Sequence, residues 1–190
     1  MSAPFDRIDW PVHTERLSIR PATSADVEAV WSYRRFPEVS EWLPAAPPTL
    51  EEFRTYFDIP ERLAKTLVIE WAGVVIGDLM LAVESPYAQA EVKDEAGGTQ
   101  AELGWCIAPD QAGRGYAKEA VRELFRLCFQ ELGLRRVVAG CFVGNEPSWR
   151  LMERLGMRRE SHAVRESLHR SGEWMDGYGY ALLREEWQPT

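Results

Sequence analysis

The sequence predicts an α/β fold: a mixed, mostly antiparallel sheet of about seven strands, with one strand–helix–strand unit running parallel. Three observations carry this prediction. An apolar strand pattern, Glu102–Ile107, runs into a turn punctuated by Gly113 and Gly115. That turn opens on the clearest helical period in the chain, Ala117, Val121, Leu124, Phe125, Cys128, Phe129 and Leu132, stopped by Gly133. A buried-type strand, Arg136–Phe142, follows, and two strands joined through a helix of this length pair in parallel.

The remaining elements follow in order. Glu15–Pro21 alternates polar and apolar residues and reads as a first strand. Thr23 with Asp26 three places on forms a capping-box pattern, and Val27, Val30 and Trp31 then share a helix face that ends before Pro37. After the Pro44, Pro47 and Pro48 break, Leu50–Leu63 reads as one helix with Phe53, Tyr56 and Phe57 inward. Leu67–Trp71 and Val74–Leu81 flank Ala72-Gly73, a hairpin pattern. Residues 84–99 are polar and turn-rich and read as an exposed loop. Asn145 caps a helix with Pro147 in its first turn and Gly156 at its end, and two last strands fall near Met157–Val164 and Trp174–Leu183.

At 190 residues the chain reads as a single domain, 1–190, large enough for a core without staples. Hydrophobic residues at 45% and charged residues at 27% fit a folded protein, and no apolar run reaches the roughly 20 residues that span a bilayer. The start, Met1 to Arg7, has no secretory-signal pattern, so the expected compartment is the cytoplasm. Cys106, Cys128 and Cys141 are far apart within apolar patterns, and His13, His162 and His169 are scattered, so no metal site is expected. A net charge of −8 disfavours a nucleic-acid surface and suits cationic partners or plain solvation. Arg114, Lys118, Arg122, Arg135, Arg136, Arg150 and Arg154 are a local basic exception.

Free N–H groups at a helix start, with no side chains at Gly113 and Gly115 to block approach, suit a phosphate or pyrophosphate. The turn lacks the third glycine and downstream acid of a dinucleotide fingerprint. It also lacks the Gly-Lys-Ser/Thr of a nucleotide-triphosphate loop. On spacing alone, a ligand-free tight turn remains an equal reading.

The segment Glu102–Gly156 resembles the core of the GNAT superfamily of acyl-CoA-dependent N-acyltransferases. The family pattern, Arg or Gln, two residues, Gly, one residue, Gly or Ala, maps onto Ala112, Gly113, Arg114, Gly115, Tyr116 and Ala117. Ala112 stands where the long polar side chain is usual. Asn145, Ser148, Leu151 and Gly156-Met157 resemble the family's second landmark, with Met152 where many members carry a tyrosine acid. Thr14–Pro21 and Tyr180–Trp187 resemble the opening and closing signatures of the RimJ/RimL-type branch, which includes N-terminal acetyltransferases of ribosomal proteins.

The resemblance implies a GNAT fold with helices on both faces of the sheet and acetyl-CoA as co-substrate. The CoA pyrophosphate would lie on the turn from Ala112 to Ala117, with Arg114 and Lys118 as nearby charges. Backbone groups at Cys106 and Ile107 would hold the thioester, and Asn145 the pantetheine arm. Cys106 itself has apolar neighbours and is not expected to be a nucleophile. The acceptor would be a primary amine: a protein N-terminus, which the branch favours, or a small molecule. An α-amine, with a pKa of about 7.7–8.0 against about 10.4 for lysine, needs less help from a base. Glu102 is the candidate base, against a plain solvated carboxylate, and Ser148 the candidate proton donor to the thiolate, against a first-turn structural hydroxyl. Trp31, Tyr33, Trp42 and Leu43 border the expected acceptor pocket, and core packing is the competing role. The branch suggests a homodimer. Two further readings stay open: an aminoglycoside or polyamine acetyl- or succinyltransferase, and a non-catalytic acyl-CoA-binding module.

Overall fold

The computed structural model describes residues 4–189. Of the leading segment Met1 to Arg7, residues 1–3 therefore lie outside the described residues. Fourteen regular elements follow in chain order: β1 (Val12–His13), β2 (Ser18–Pro21), α1 (Val27–Arg34), α2 (Pro37–Ser40), α3 (Leu50–Phe57), α4 (Pro60–Leu63), β3 (Thr66–Trp71), β4 (Val74–Glu84), β5 (Gln100–Ile107), α5 (Tyr116–Arg126), β6 (Arg136–Phe142), α6 (Glu146–Arg154), β7 (Arg158–Leu168) and β8 (Trp174–Leu183). The strands hydrogen-bond in the order β1-β2-β3-β4-β5-β6-β8-β7, eight where about seven are expected. The additional strand is the two-residue β1. The one parallel pair is the expected one, β5 with β6, in register from Gln100↔Arg136 to Glu102↔Val138.

The chain divides into two compact units. The first comprises Met1–Leu81 with Gly104–Leu124. Its core gathers Val27, Val30 and Tyr33 of α1, Phe53 and Phe57 of α3, and Val68, Cys106 and Ala108. Phe53 stacks against Phe57 at 5.6 Å and tilts against Trp31 at 5.3 Å. A buried ring of this size contributes about 1.5–3 kcal/mol. The expected capping box is present: Asp26 accepts from the Thr23 N–H at 2.8 Å, just ahead of α1. The expected single helix over Leu50–Leu63 is instead two, because Pro60 starts a new turn and cannot donate into the preceding one. Ala72 and Gly73 both take positive φ, 50° and 79°, as a two-residue hairpin turn of this hand requires. Where β4 passes the end of β5 there is no room for a side chain: a Cβ on Gly77 would lie 2.5 Å from the Cys106 carbonyl.

The second unit comprises Ala82–Leu103 with Phe125–Thr190. The loop expected over residues 84–99 contains a short 3-10 helix, Ala90–Ala96. Beyond α5 the chain widens into a π turn, Leu127–Glu131, before Gly133 at φ 69° ends it. β8 runs antiparallel between β6 and β7. β7 is the outer strand, solvent-exposed along most of its length, with register shifts at Arg159/Ser161 and Ala163/Ser167 and Arg165 at φ 49°. Among the described residues no helix is long and apolar enough to cross a membrane.

Candidate functional site

In the first unit, β5 ends at Ile107, and the Ala108 N–H donates to the Ile76 carbonyl at 2.8 Å, fixing where the turn departs. Pro109–Gln111 form one 3-10 turn, and Ala112 continues in extended conformation. Gly113 and Gly115 then take φ 74° and 83°, the left-handed region that residues with a Cβ avoid. A Cβ on Gly113 would meet nothing within 4 Å, so that side of the turn is open. Immediately beyond, Tyr116 begins α5, whose first N–H groups have no acceptor within their own helix. Arg114 and Lys118 are exposed and make no ion pair among the described residues. Backbone donors, open space and two unpaired cations fit a pyrophosphate. Ala112 adds no polar atom, so any anion here leans on the backbone.

Thr14 and Arg16, part of the opening signature, hold this turn from outside. The Glu119 carboxylate, in the first turn of α5, accepts from the Thr14 hydroxyl at 2.6 Å and the Arg16 N–H at 2.8 Å. It also accepts from Arg16 Nε at 2.7 Å, with Nη2 at 2.7 Å. Arg16 Nη1 donates to the Arg114 carbonyl at 3.0 Å, and the guanidinium lies 4.6 Å over the Tyr116 ring. Burial pulls the Glu119 pKa up, but the bonds from Thr14 and Arg16 outweigh it and hold it below the ordinary value. Arg20, in the same signature, bridges Asp26 at 2.7 Å and Glu70 at 2.8 Å.

Cys106 is buried, and burial, aided by the nearby Asp78 charge, pushes its thiol up to about 12. That argues against a thiolate nucleophile. Beside it lies a buried ionic cluster that sequence reading missed. Asp78 accepts from the Tyr33 hydroxyl at 2.8 Å and from Arg34 Nε at 2.9 Å, and pairs with Arg34 Nη2 as well. Asp78 sits among the apolar residues of β4, and that was the only available signal. Tyr33 is thus a core residue rather than a pocket wall. Trp31 is half-buried against Phe53, Leu43 packs on the same core, and Trp42 is half-buried.

In the second unit, Glu102 is exposed on β5 and lines a cavity of about 270 Å³ with Arg136, Val138, Gly140, Glu160 and Tyr180. Tyr180, which the sequence marks only as part of the closing signature and not as a site residue, accepts from Arg159 Nε at 2.8 Å and donates to Glu153 at 2.9 Å. Ser148 lies in the first turn of α6, and its side chain hydrogen-bonds Cys141. Burial pushes the Cys141 thiol up to about 11, against the opposing Ser148 bond and Arg159 charge. The Asn145 carbonyl accepts from Ser148 N–H at 3.1 Å, but its side chain makes no cap bond. The expected side-chain cap is therefore corrected: with Asn145 at φ −79°, ψ 66°, outside the extended region usual for a capping residue, the amide is not committed to the helix end. No three His, Cys, Asp or Glu side chains gather as a metal-binding group among the described residues.

The family description "Acetyltransferase (GNAT) domain" matches residues 16–158, most of the chain. The chain belongs to the GNAT superfamily. As a GNAT protein it is an acyl-CoA-dependent N-acyltransferase. It is 29% identical to the uncharacterized N-acetyltransferase YnaD of Bacillus subtilis over 184 residues, 93% of this chain and 98% of that protein. It is 28% identical over 174 residues to the L-amino acid N-acetyltransferase AaaT of Escherichia coli, 88% of this chain and 98% of that one. Among solved structures, a GNAT-family acetyltransferase from Bacillus anthracis matches at a TM-score of 0.77 and 31% identity, covering 92% of this chain and 98% of its own.

Proposed function

We propose that this GNAT enzyme moves an acetyl group from acetyl-CoA to a primary α-amine, that of a protein N-terminus or of a small molecule such as an amino acid, with residues 1–190 acting as one acyltransferase domain. The observation that carries the reading is the pair of left-handed glycines at the mouth of α5, with open space beside Gly113. Gly113, Gly115, Tyr116, Ala117 and Lys118 would hold the pyrophosphate through N–H groups, with Ala112 and Arg114 flanking it. Cys106 and Ile107 would hold the thioester through backbone groups, and Asn145, its amide uncommitted to the helix, would bond the pantetheine arm.

The chemistry asks little of the protein. A neutral amine attacks the thioester carbonyl, the C–S bond breaks, and the departing thiolate takes a proton. Glu102 removes the proton from the nitrogen, directly or through water, and Ser148 donates toward the sulfur. The exposed setting of Glu102 leaves it open to an incoming amine or a bridging water. The name of the Escherichia coli relative supports an α-amine acceptor, and the RimJ/RimL-like signatures at both ends of the chain support a peptide one. The branch also supports a homodimer.

A thiol-release screen with acetyl-CoA against peptides with free N-termini, amino acids, polyamines and aminoglycosides tests the acceptor. Release with α-amines is expected. Turnover confined to polyamines or aminoglycosides would refute the α-amine reading, and CoA binding without release from any amine would leave a binding module. Gly113→Glu places a carboxylate in the pyrophosphate site, so CoA binding is expected to vanish in a folded protein. Unchanged binding would remove the turn from the cofactor site.

A further inference from the structure

We propose that Arg16 is a positioning residue for cofactor binding: by gripping the Arg114 carbonyl and neutralising Glu119, it aims the Gly115 N–H into the anion side of the turn. The inference rests on the reading of the turn as the CoA pyrophosphate site. Its geometry comes from one peptide unit. In a trans peptide the C=O and the following N–H point in opposite directions across a shared plane. The Arg114 carbonyl points at Arg16 Nη1, 3.0 Å away, so the Gly115 N–H of that same unit points away from Arg16. The unit is bounded by Arg114 and the left-handed Gly115, with the left-handed Gly113 one residue earlier, so the backbone around it is conformationally free and gains from an external hold.

The two sides of the turn differ in the way this role requires. A Cβ on Gly115 would come 3.4 Å from Arg16 Nη2, whereas one on Gly113 would meet nothing within 4 Å. Arg16 therefore backs the turn, and the other side is left for a ligand. Charge supplies the second half of the argument. Glu119 sits in the first turn of α5, where an uncompensated carboxylate would repel a pyrophosphate at the same helix end. Arg16 meets one of its oxygens with Nε and Nη2, while the Arg16 N–H and the Thr14 hydroxyl take the other. Arg16 acts through the turn and need not touch the ligand.

The test uses the full-length protein and CoA as the titrant, at a temperature where circular dichroism shows every variant folded. Arg16→Met is expected to raise the CoA Kd about tenfold, as when a donor holding a charged network is removed. Arg16→Lys keeps the charge opposite Glu119 but loses the forked reach to the Arg114 carbonyl, and about a threefold rise is expected. With glycine-selective ¹⁵N labelling, CoA should shift the Gly115 amide resonance in the wild type and move it much less in Arg16→Met. A plain structural tether would leave that response intact. A folded Arg16→Met with wild-type Kd, or with a wild-type Gly115 response, would overturn the proposal. If Arg16→Met does not fold, Arg16→Lys decides, and an unchanged Kd overturns it. A wild-type protein that does not bind CoA would instead defeat the reading of the turn itself.

Discussion

Two arginine–carboxylate clusters in the first unit are built to nearly the same plan and do opposite work. At Asp78, an arginine fork and a phenol hydroxyl converge on a carboxylate inside β4. At Glu119, an arginine fork and a threonine hydroxyl converge on a carboxylate at the start of α5. The first is closed off, with the Asp78 side chain 5% exposed; the second is open, with Arg16 39% exposed. Water decides the difference. A buried pair repays its desolvation only while both partners are present, whereas an exposed pair adds little to stability and can fix a geometry.

The largest expected effect is on the buried side. Arg34→Met leaves Asp78 uncompensated and should cost about 3–5 kcal/mol, a melting temperature lower by on the order of 10 °C. Thermal denaturation near the wild-type temperature would show that the two clusters do not differ as argued. Replacing both partners, Arg34→Met with Asp78→Leu, should recover most of that loss, because no orphaned charge remains. A double variant as unstable as the single one would mean that packing around Tyr33 is what matters. On the exposed side, Arg16→Met should change stability by no more than about 1 kcal/mol while weakening CoA binding. A loss as large as that of Arg34→Met would erase the distinction.

The smallest effect is in pH dependence. Glu119 has a folded pKa below its usual 4.5, so its contribution to stability is fully present above the ordinary carboxylate range. The contribution is lost as pH falls through the lowered folded value. Melting temperatures of wild type and Glu119→Gln should therefore differ near neutrality and converge on acidification. A gap that stays constant with pH would count against the Thr14–Arg16–Glu119 network.

These contrasts mark what could be read from the chain beforehand. The turn and its parallel strand pair were legible because glycines, a helical period and two apolar strands are local signals. The break at Pro60 inside an otherwise periodic run, and the π turn at Leu127–Glu131, were not, because pattern alone does not fix where a helix changes pitch. The clusters were hidden for a different reason. Arg34 and Asp78 are 44 residues apart, and Arg16 and Glu119 are 103 apart. Nothing short-range pairs them, so Thr14 and Arg16 were visible only as a signature and Glu119 not at all. Tyr180 was likewise legible as a strand residue and not as a cavity wall.

The outer strand β7 carries a consequence for how the protein behaves in concentrated solution. A flat exposed edge would present a continuous ladder of N–H and C=O groups to a strand from another molecule, and sheets could then grow from chain to chain. Here the two register shifts and the left-handed Arg165 interrupt that ladder, and Arg158, Arg159, Glu160, Arg165 and Glu166 crowd it with charge. The eight-stranded sheet is thus protected against fibre-like extension at its longest open margin.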